Sequence, residues 1–283
     1  MPEFLRGWPQ AVLNTHRGVP LALAALLAIV GSVISRDEFD QHWCLVINQW
    51  QQPWPYPWEV LTWSALGIVA FFLITALSSD QPRRVAALLM AVVVGGLWVH
   101  AVKRLVLADR PLVFYGLDHP TFHVVGDLLR AHGMPSGHSV SAMAMAGLMS
   151  LGLNMQVAAW RRWLWVGTWT LLGLAQALSR IVVGAHWPSD VLVGSAIGMA
   201  VAPLVWHLPV TEKLGAWFSR VWPRRALALI VPSLAVGLIL VPQGCEFTPP
   251  VATAVLLLGA WGGWRWWQSS SVSASLAAPA SAS

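Results

Sequence analysis

The chain has 283 residues, 57% of them hydrophobic and only 10% charged, with a mean hydropathy of +0.62. A soluble domain carries about a quarter charged residues, so this composition excludes an ordinary globular domain and points to an integral membrane protein. The formal charge of +5 would suit nucleic acid in a soluble chain; in one this apolar it marks cytoplasmic loops beside anionic lipid, and no nucleic-acid partner is expected.

A polar start over 1–17 precedes a first apolar segment, 19–35. No small-residue cleavage site follows that segment, so it is expected to stay as a helix. Residues 36–58 hold Trp43, Trp50, Trp54 and Trp58 with Pro53, Pro55 and Pro57; they read as an interfacial loop, since Trp favours the headgroup level. Spans are expected at 60–77 and 85–102, joined by a tight loop with Arg83 and Arg84. A long connection over 104–135 carries Asp109, Arg110, Asp118, His119, His123, Asp127, Arg130 and His132, and connections of that length are often functional. Further spans are expected at 139–153, 164–178 and 191–206; the last has Gly194 and Gly198, a small-residue pair that lets helices approach closely. A basic connector over 207–225 leads to two more spans, 226–241 and 251–264, and the Ser/Ala-rich tail over 269–283 is expected to be disordered.

The expected fold is therefore all-α, a polytopic bundle with a six-helix core over 1–206 and two additional helices within 207–268. Alternating the loops puts Arg6, Arg17, Arg83, Arg84, Arg161, Arg162, Lys213, Arg220, Arg224, Arg225 and Arg265 on one side, and Arg36, Lys103, Arg104, Arg110, Arg130 and Arg180 on the other. The positive-inside rule then predicts cytoplasmic termini, with the 104–135 connection and the 179–190 stretch facing outward. Cys44 and Cys245 fall in outward loops, where they are either a disulfide or two unrelated thiols.

Three outward segments carry chemistry. Lys103 and Arg110 are two cations at a helix end, which also fits snorkelling to the interface. Pro135-Ser136-Gly137-His138 opens the fourth span. Ser136 suits an N-cap and Gly137 allows close approach to the backbone, so free amides there form an anion site, or a plain cap with a chance His. Ser179-Arg180 and His186, with Asp190 four residues on, join two apolar runs. Arg180 offers a planar fork of donors for phosphate, and Asp190 in a first helical turn can reach back to the imidazole; the bland reading is a loop with a capping Asp. His100, Arg104, Arg130 and His132 are weaker candidates for the same pocket, with a buried His and solvated loop cations as the ordinary readings.

Taken together, Lys103…Arg110-Pro111, Pro135-Ser136-Gly137-His138 and Ser179-Arg180…His186…Asp190 resemble the three-part signature of the type 2 phosphatidic acid phosphatase family, over about residues 60–206. The resemblance implies a membrane lipid phosphatase. His186 would attack phosphorus, Asp190 would orient its imidazole, and His138 would protonate the leaving oxygen and then activate water. Lys103, Arg110 and Arg180 would hold the phosphate oxygens, helped by Ser136 and the Gly137 amide; no metal and no cofactor is implied. The substrate would be a lipid phosphate drawn from the membrane: undecaprenyl pyrophosphate, phosphatidylglycerol phosphate, phosphatidic acid or lipid A. The implied location is a bacterial inner membrane with the site facing the periplasm. Alternatives are a phosphotransferase that passes the phosphoryl group to lipid A, a vanadate haloperoxidase, which the spans oppose, and a lipid-binding or transport protein, which would need no nucleophile.

Overall fold

The computed structural model describes residues 18–153, 156–240 and 249–277, and these are helices joined by turns and loops. Helix α1 spans Gly18–Val33, α2 Glu38–Asn48, α3 Tyr56–Ser64, α4 Gly67–Leu77, α5 Pro82–Val106 and α6 Pro111–Tyr115. Helix α7 spans Gly137–Ser150, α8 Ala159–Val182, α9 Pro188–Trp206, α10 Pro209–Phe218, α11 Val221–Leu240 and α12 Pro249–Ala277. The all-α bundle expected from composition is present.

The element boundaries follow local chemistry, and several differ from expectation. Helix α5 outruns its apolar stretch because Pro82 starts it, while Lys103 and Arg104 sit in its last turn, where cations suit the dipole. The span expected over 60–77 is broken: Leu66 leaves helical geometry (φ −61°, ψ 135°) and α3 meets α4 at 73°. The expected interfacial loop over 36–58 contains α2, whose start is set by Asp37 accepting from Asp40 N at 2.8 Å. The basic connector over 207–225 likewise contains α10, with Pro209 in its first turn. The expected disordered tail is helical as far as Ala277; Ser and Ala readily extend a helix that is already nucleated. Residues 1–17 and 278–283 lie outside the described residues.

Eight spans were expected. Among the described residues, three helices are long and apolar enough to cross a membrane, α5 (with α6), α9 and α11, and the bent pair α3–α4 gives a fourth if it counts as one span. Helices α1 and α7, with 16 and 14 residues, fall short of the ~20 that a bilayer requires.

Helix α9 is the axis of the site half, packed against α7 on one side and α1 on another. The contact with α7 is close because of two glycines. A Cβ at Gly194 would lie 2.5 Å from Ser136 O, and one at Gly198 would lie 2.4 Å from Val140 O. Phe72, Val85, Met145, Leu148, Met149 and Val201 form the main buried core, and α11 and α12 join it through Val231, Ala235 and Trp266. Trp266 Nε1 donates to Thr75 O at 2.8 Å, which ties α12 to α4. At the end of the bundle away from α9's first turn, buried Arg84 donates to Leu148 O at 3.1 Å, a carbonyl that also accepts from Leu151 N, and to Leu151 O at 2.8 Å, bracing the end of α7.

Gly198→Leu is expected to destabilise the protein by about 1–3 kcal/mol through overpacking, read as a lower melting temperature in detergent. Gly96→Ala, where an added Cβ meets nothing within 4 Å, should be neutral or stabilising by up to about 1 kcal/mol. Equal effects at the two positions would contradict this account of the α7–α9 contact.

Candidate active site

The 183–187 turn, with Gly184 at φ +75°, brings α8 into α9. A Cβ at Gly184 would also strike His123 O at 2.6 Å, so both conformation and crowding require glycine there. Asp190 lies in the first turn of α9 and accepts from Trp187 N at 3.1 Å, in the manner of a capping box. That places its Oδ2 3.2 Å from His186 Nδ1, the contact their spacing allows. Both side chains are buried.

On the other side of the ring, Arg110 Nη1 lies 3.2 Å from His186 Nε2. Arginine can only donate, so Nε2 is the lone-pair nitrogen and Nδ1 carries the proton that is given to Asp190. Burial, followed by the cations Arg110, Arg180 and Lys103, pushes the His186 imidazole well below its ordinary range. Both effects favour the neutral ring, whose Nε2 lone pair faces Arg110.

Arg110 is itself fixed by the connection that follows it. Nε donates to Ala131 O at 2.7 Å, Nη1 to Ala185 O at 2.8 Å and Nη2 to His132 O at 3.4 Å. Arg180, also buried, has one long hydrogen bond, Nη1 to Thr62 Oγ1 at 3.3 Å, and its Nε has no partner among the described residues. Arg180 and His138 line a cavity of about 250 Å³ with Glu59, Thr62, Asp127 and Ala185. His138 is within electrostatic reach of Arg180, His186, Arg110 and Lys103, and no hydrogen bond or ion pair of the Lys103 side chain is present among the described residues. Arg180 and His138 thus line the cavity, and Lys103, Arg110 and His186 lie within electrostatic reach of them.

Ser136 has a different place. It is buried as the N-cap of α7, where its Oγ accepts from Ser139 N at 3.3 Å, and its own N donates to Asp190 O at 3.0 Å. Gly137 lines a second, apolar cavity of about 220 Å³ between α4, α5 and α7, along Leu88, Ala91, Gly95 and Val99. His100, Arg104, Arg130 and His132 are exposed, and His100 is neither the buried histidine nor the pocket residue its spacing from Lys103 suggested. Only the His132 carbonyl takes part, through Arg110. Cys44 is buried and its thiol is pushed up by desolvation; Cys245, its suggested partner, lies outside the described residues. No three His, Cys, Asp or Glu side chains among the described residues converge as a metal-binding group.

Residues 84–214 match the family model described as the PAP2 superfamily. The chain carries a PAP2 superfamily domain. A decaprenylphosphoryl-5-phosphoribose phosphatase of Mycobacterium tuberculosis is 36% identical over 104 residues, covering 37% of this chain and 49% of that protein. A lipid A 1-phosphatase of Rhizobium etli is 32% identical over 114 residues, 40% of this chain and 45% of that one. The chain thus spans about half the length of the curated relatives it matches. The crystal structure of Aquifex aeolicus LpxE superposes with a TM-score of 0.52 at 20% identity, over 62% of this chain and 99% of that one, a likeness of fold.

The PAP2 domain does not hold the whole site. Glu59, Thr62 and Arg36 precede it, and Arg36 Nη2 donates to Asp190 Oδ1 at 2.9 Å. By sequence alone Arg36 is only an outward loop charge. The available signal was its place just before the Asp37 cap and first acidic turn of α2, on the side of the membrane already assigned to the three motifs.

Arg110→Lys keeps the charge but cannot reach three carbonyls. Faster amide exchange at residues 131–133 and 184–186 than in the wild type is expected, with the rest of the bundle unchanged. Unaltered exchange at both loops would show that Arg110 does not clamp them.

Proposed function

We propose that the protein is an integral-membrane lipid phosphatase that works through a phosphohistidine on His186. The observation that carries this reading is the buried imidazole held between Asp190 at Nδ1 and Arg110 at Nε2, next to a cavity lined by Ala185, Arg180 and His138. Nε2 attacks phosphorus, forming a P–N bond as the P–O bond to the leaving group breaks. The leaving oxygen keeps the electron pair and takes a proton from the imidazolium of His138. Before phosphate binds, burial and the nearby cations disfavour that charged form; His138 takes up its proton from solvent as the phosphate dianion binds and offsets them. His138, now neutral, accepts a proton from water; the resulting hydroxide oxygen attacks phosphorus, the P–N bond breaks, and inorganic phosphate leaves. Asp190 stabilises the positive ring while Nε2 is bonded to phosphorus. Lys103, Arg110 and Arg180 neutralise the equatorial oxygens, the work that metal ions do in other phosphoryl transfers, so the reaction is metal-independent. Ser136 contributes by capping α7 and Gly137 by leaving the backbone open; the approach of phosphate to that helix start is favoured by its dipole.

A lipid substrate is supported by the apolar cavity that begins at Gly137 and runs along α5, and by the exposed apolar flank of α5 at Val92, Val93 and Leu97. The curated relatives named above act, by their names, on a decaprenylphosphoryl sugar phosphate and on lipid A. Undecaprenyl pyrophosphate, phosphatidylglycerol phosphate, phosphatidic acid and lipid A are the substrates to compare. The charge asymmetry of the loops favours a bacterial inner membrane with this pocket on the periplasmic face.

The deciding experiment is phosphate release by the purified chain in mixed micelles across those four lipids, with glucose 6-phosphate as a water-soluble control. Turnover of at least one lipid is expected, continuing in EDTA and inhibited by vanadate; turnover of the sugar phosphate alone would sink the lipid assignment. His186→Ala should lower kcat by about a thousandfold or more, as loss of a nucleophile does, and retained turnover would remove His186 from that role. The pH profile provides a further check. Protonation removes the Nε2 lone pair, and the ring's pKa is depressed, so kcat/KM should not fall on the acid side until the pH is below ~6.5, the ordinary histidine value. The substrate's own phosphate ionisation is measured separately, and an enzyme-side acid limb above that value would contradict the buried, cation-flanked imidazole.

A further inference from the structure

A carboxylate orients a ring only when it cannot turn. The Cβ–Cγ torsion of aspartate has broad, shallow wells, so Asp190 needs a partner on each oxygen to keep Oδ2 toward His186. Trp187 N supplies Oδ2. Oδ1 is held by Arg36 Nη2 at 2.9 Å, in an ion pair whose carboxylate is fully buried. The same nitrogen donates to Asp109 O at 3.2 Å, and Trp187 Nε1 donates to that carbonyl at 2.9 Å. Arg36 Nη1 donates to Ser35 Oγ at 2.5 Å and Ser189 Oγ at 3.4 Å.

Arg36 is held in turn. Its backbone is left-handed, with φ 63°, a conformation that costs a residue with a side chain. Asp40 Oδ2 accepts the Arg36 N–H at 2.9 Å and stabilises that turn. Asp40 is fully buried and also accepts from Ser189 N at 2.9 Å and Ser189 Oγ at 2.6 Å, which anchors α2 to the first turn of α9. Space is reserved around the pair. A Cβ at Gly133 would lie 3.0 Å from Asp190 Oδ2 and 3.2 Å from Arg36 Nη2.

We propose that Arg36 is a positioning residue for the nucleophile: it fixes Asp190, and through Asp190 the His186 ring, from a segment that precedes the PAP2 domain, with Asp40 fixing Arg36. The proposal rests on the reading of His186 as nucleophile. It makes the 34–40 turn and the start of α2 part of the catalytic apparatus.

The test uses Arg36→Gly, Arg36→Lys and the full wild-type chain. Glycine accepts the left-handed backbone without strain, but it leaves the buried Asp190 Oδ1 without its cation, so Arg36→Gly is expected to melt lower than wild type; kcat is read well below that transition, and Arg36→Lys, which keeps a charge, separates positioning from folding. Its kcat on the best lipid of the panel should fall about 10–100-fold, as loss of an outer partner does, with KM unchanged. Lysine, and guanidinium ion added to Arg36→Gly, should each restore part of kcat. A second readout needs no substrate: ¹⁵N-histidine spectra in micelles, with the His186 signals assigned by their loss in His186→Ala. The wild-type ring should show a single tautomer protonated at Nδ1, and Arg36→Gly a mixture. If no lipid is turned over but the tautomer depends on Arg36, the proposed function falls and the positioning role stands. If Arg36→Gly keeps wild-type kcat and tautomer, the role is overturned; it is equally overturned if kcat drops while the tautomer is unchanged and neither lysine nor guanidinium restores it.

Discussion

Asp190 is a carboxylate with no exposed surface, between an imidazole and a guanidinium. An unpaired charge there would be far too costly to bury, so the fold must deliver partners to it from several directions. Trp187 N comes from the residue capping its own helix, Arg36 from the turn before α2, and His186 from the link out of α8. Ser136 N reaches the Asp190 backbone carbonyl from the start of α7. A single residue thus collects the ends of four helices, and the position of each end is constrained by the need to satisfy it.

Those ends can meet only because the helices behind them approach closely. Gly194 lets α9 lie against Ser136 O, and Gly198 does the same one turn further on against Val140 O. Any side chain at either position would push α7 outward, and with it His138 and the Ser136 cap. The packing and the chemistry are therefore one problem: the small residues that set the interhelical distance also set where the second histidine stands relative to the first.

The sequence shows much of this and hides the rest for identifiable reasons. Hydropathy reveals the bundle, and the Asp190 contact to His186 follows from a four-residue spacing at a helix start, a local geometric rule. The division into spans is less legible. The break at Leu66 has no proline or charge to announce it, and α7, expected as a span over 139–153, has only 14 residues. The start of α2 was obscured because Trp and Pro dominate its neighbourhood, although Asp37 and Glu38 are ordinary helix-start residues. Arg36 and Asp40 were illegible as site residues because their partners, Asp190 and Ser189, are about 150 positions away. Pairings at that distance are set by tertiary packing, to which no local pattern points.

The arginines separate by what satisfies them. Arg84 gives its donors to Leu148 O, Leu151 O and Ser78 Oγ, and Arg224 gives two of its own to Ser219 O and Ser79 O. These are cations used as braces, closing carbonyls at the far end of the bundle, and they have little left to offer a ligand. Arg180 is as deeply buried yet holds one long hydrogen bond and leaves Nε without a partner. Lys103 stands in the same neighbourhood, with Arg110 and Arg180 raising the local positive potential around it. Burying donors without acceptors costs stability, and a fold retains such an arrangement where something outside the chain completes it. A tetrahedral dianion has the charge and the number of acceptor oxygens to do so. Arg36, Arg83 and Arg225 also have a buried Nε without a partner among the described residues; what sets Arg180 apart is that it is deeply buried and lines the cavity together with His138.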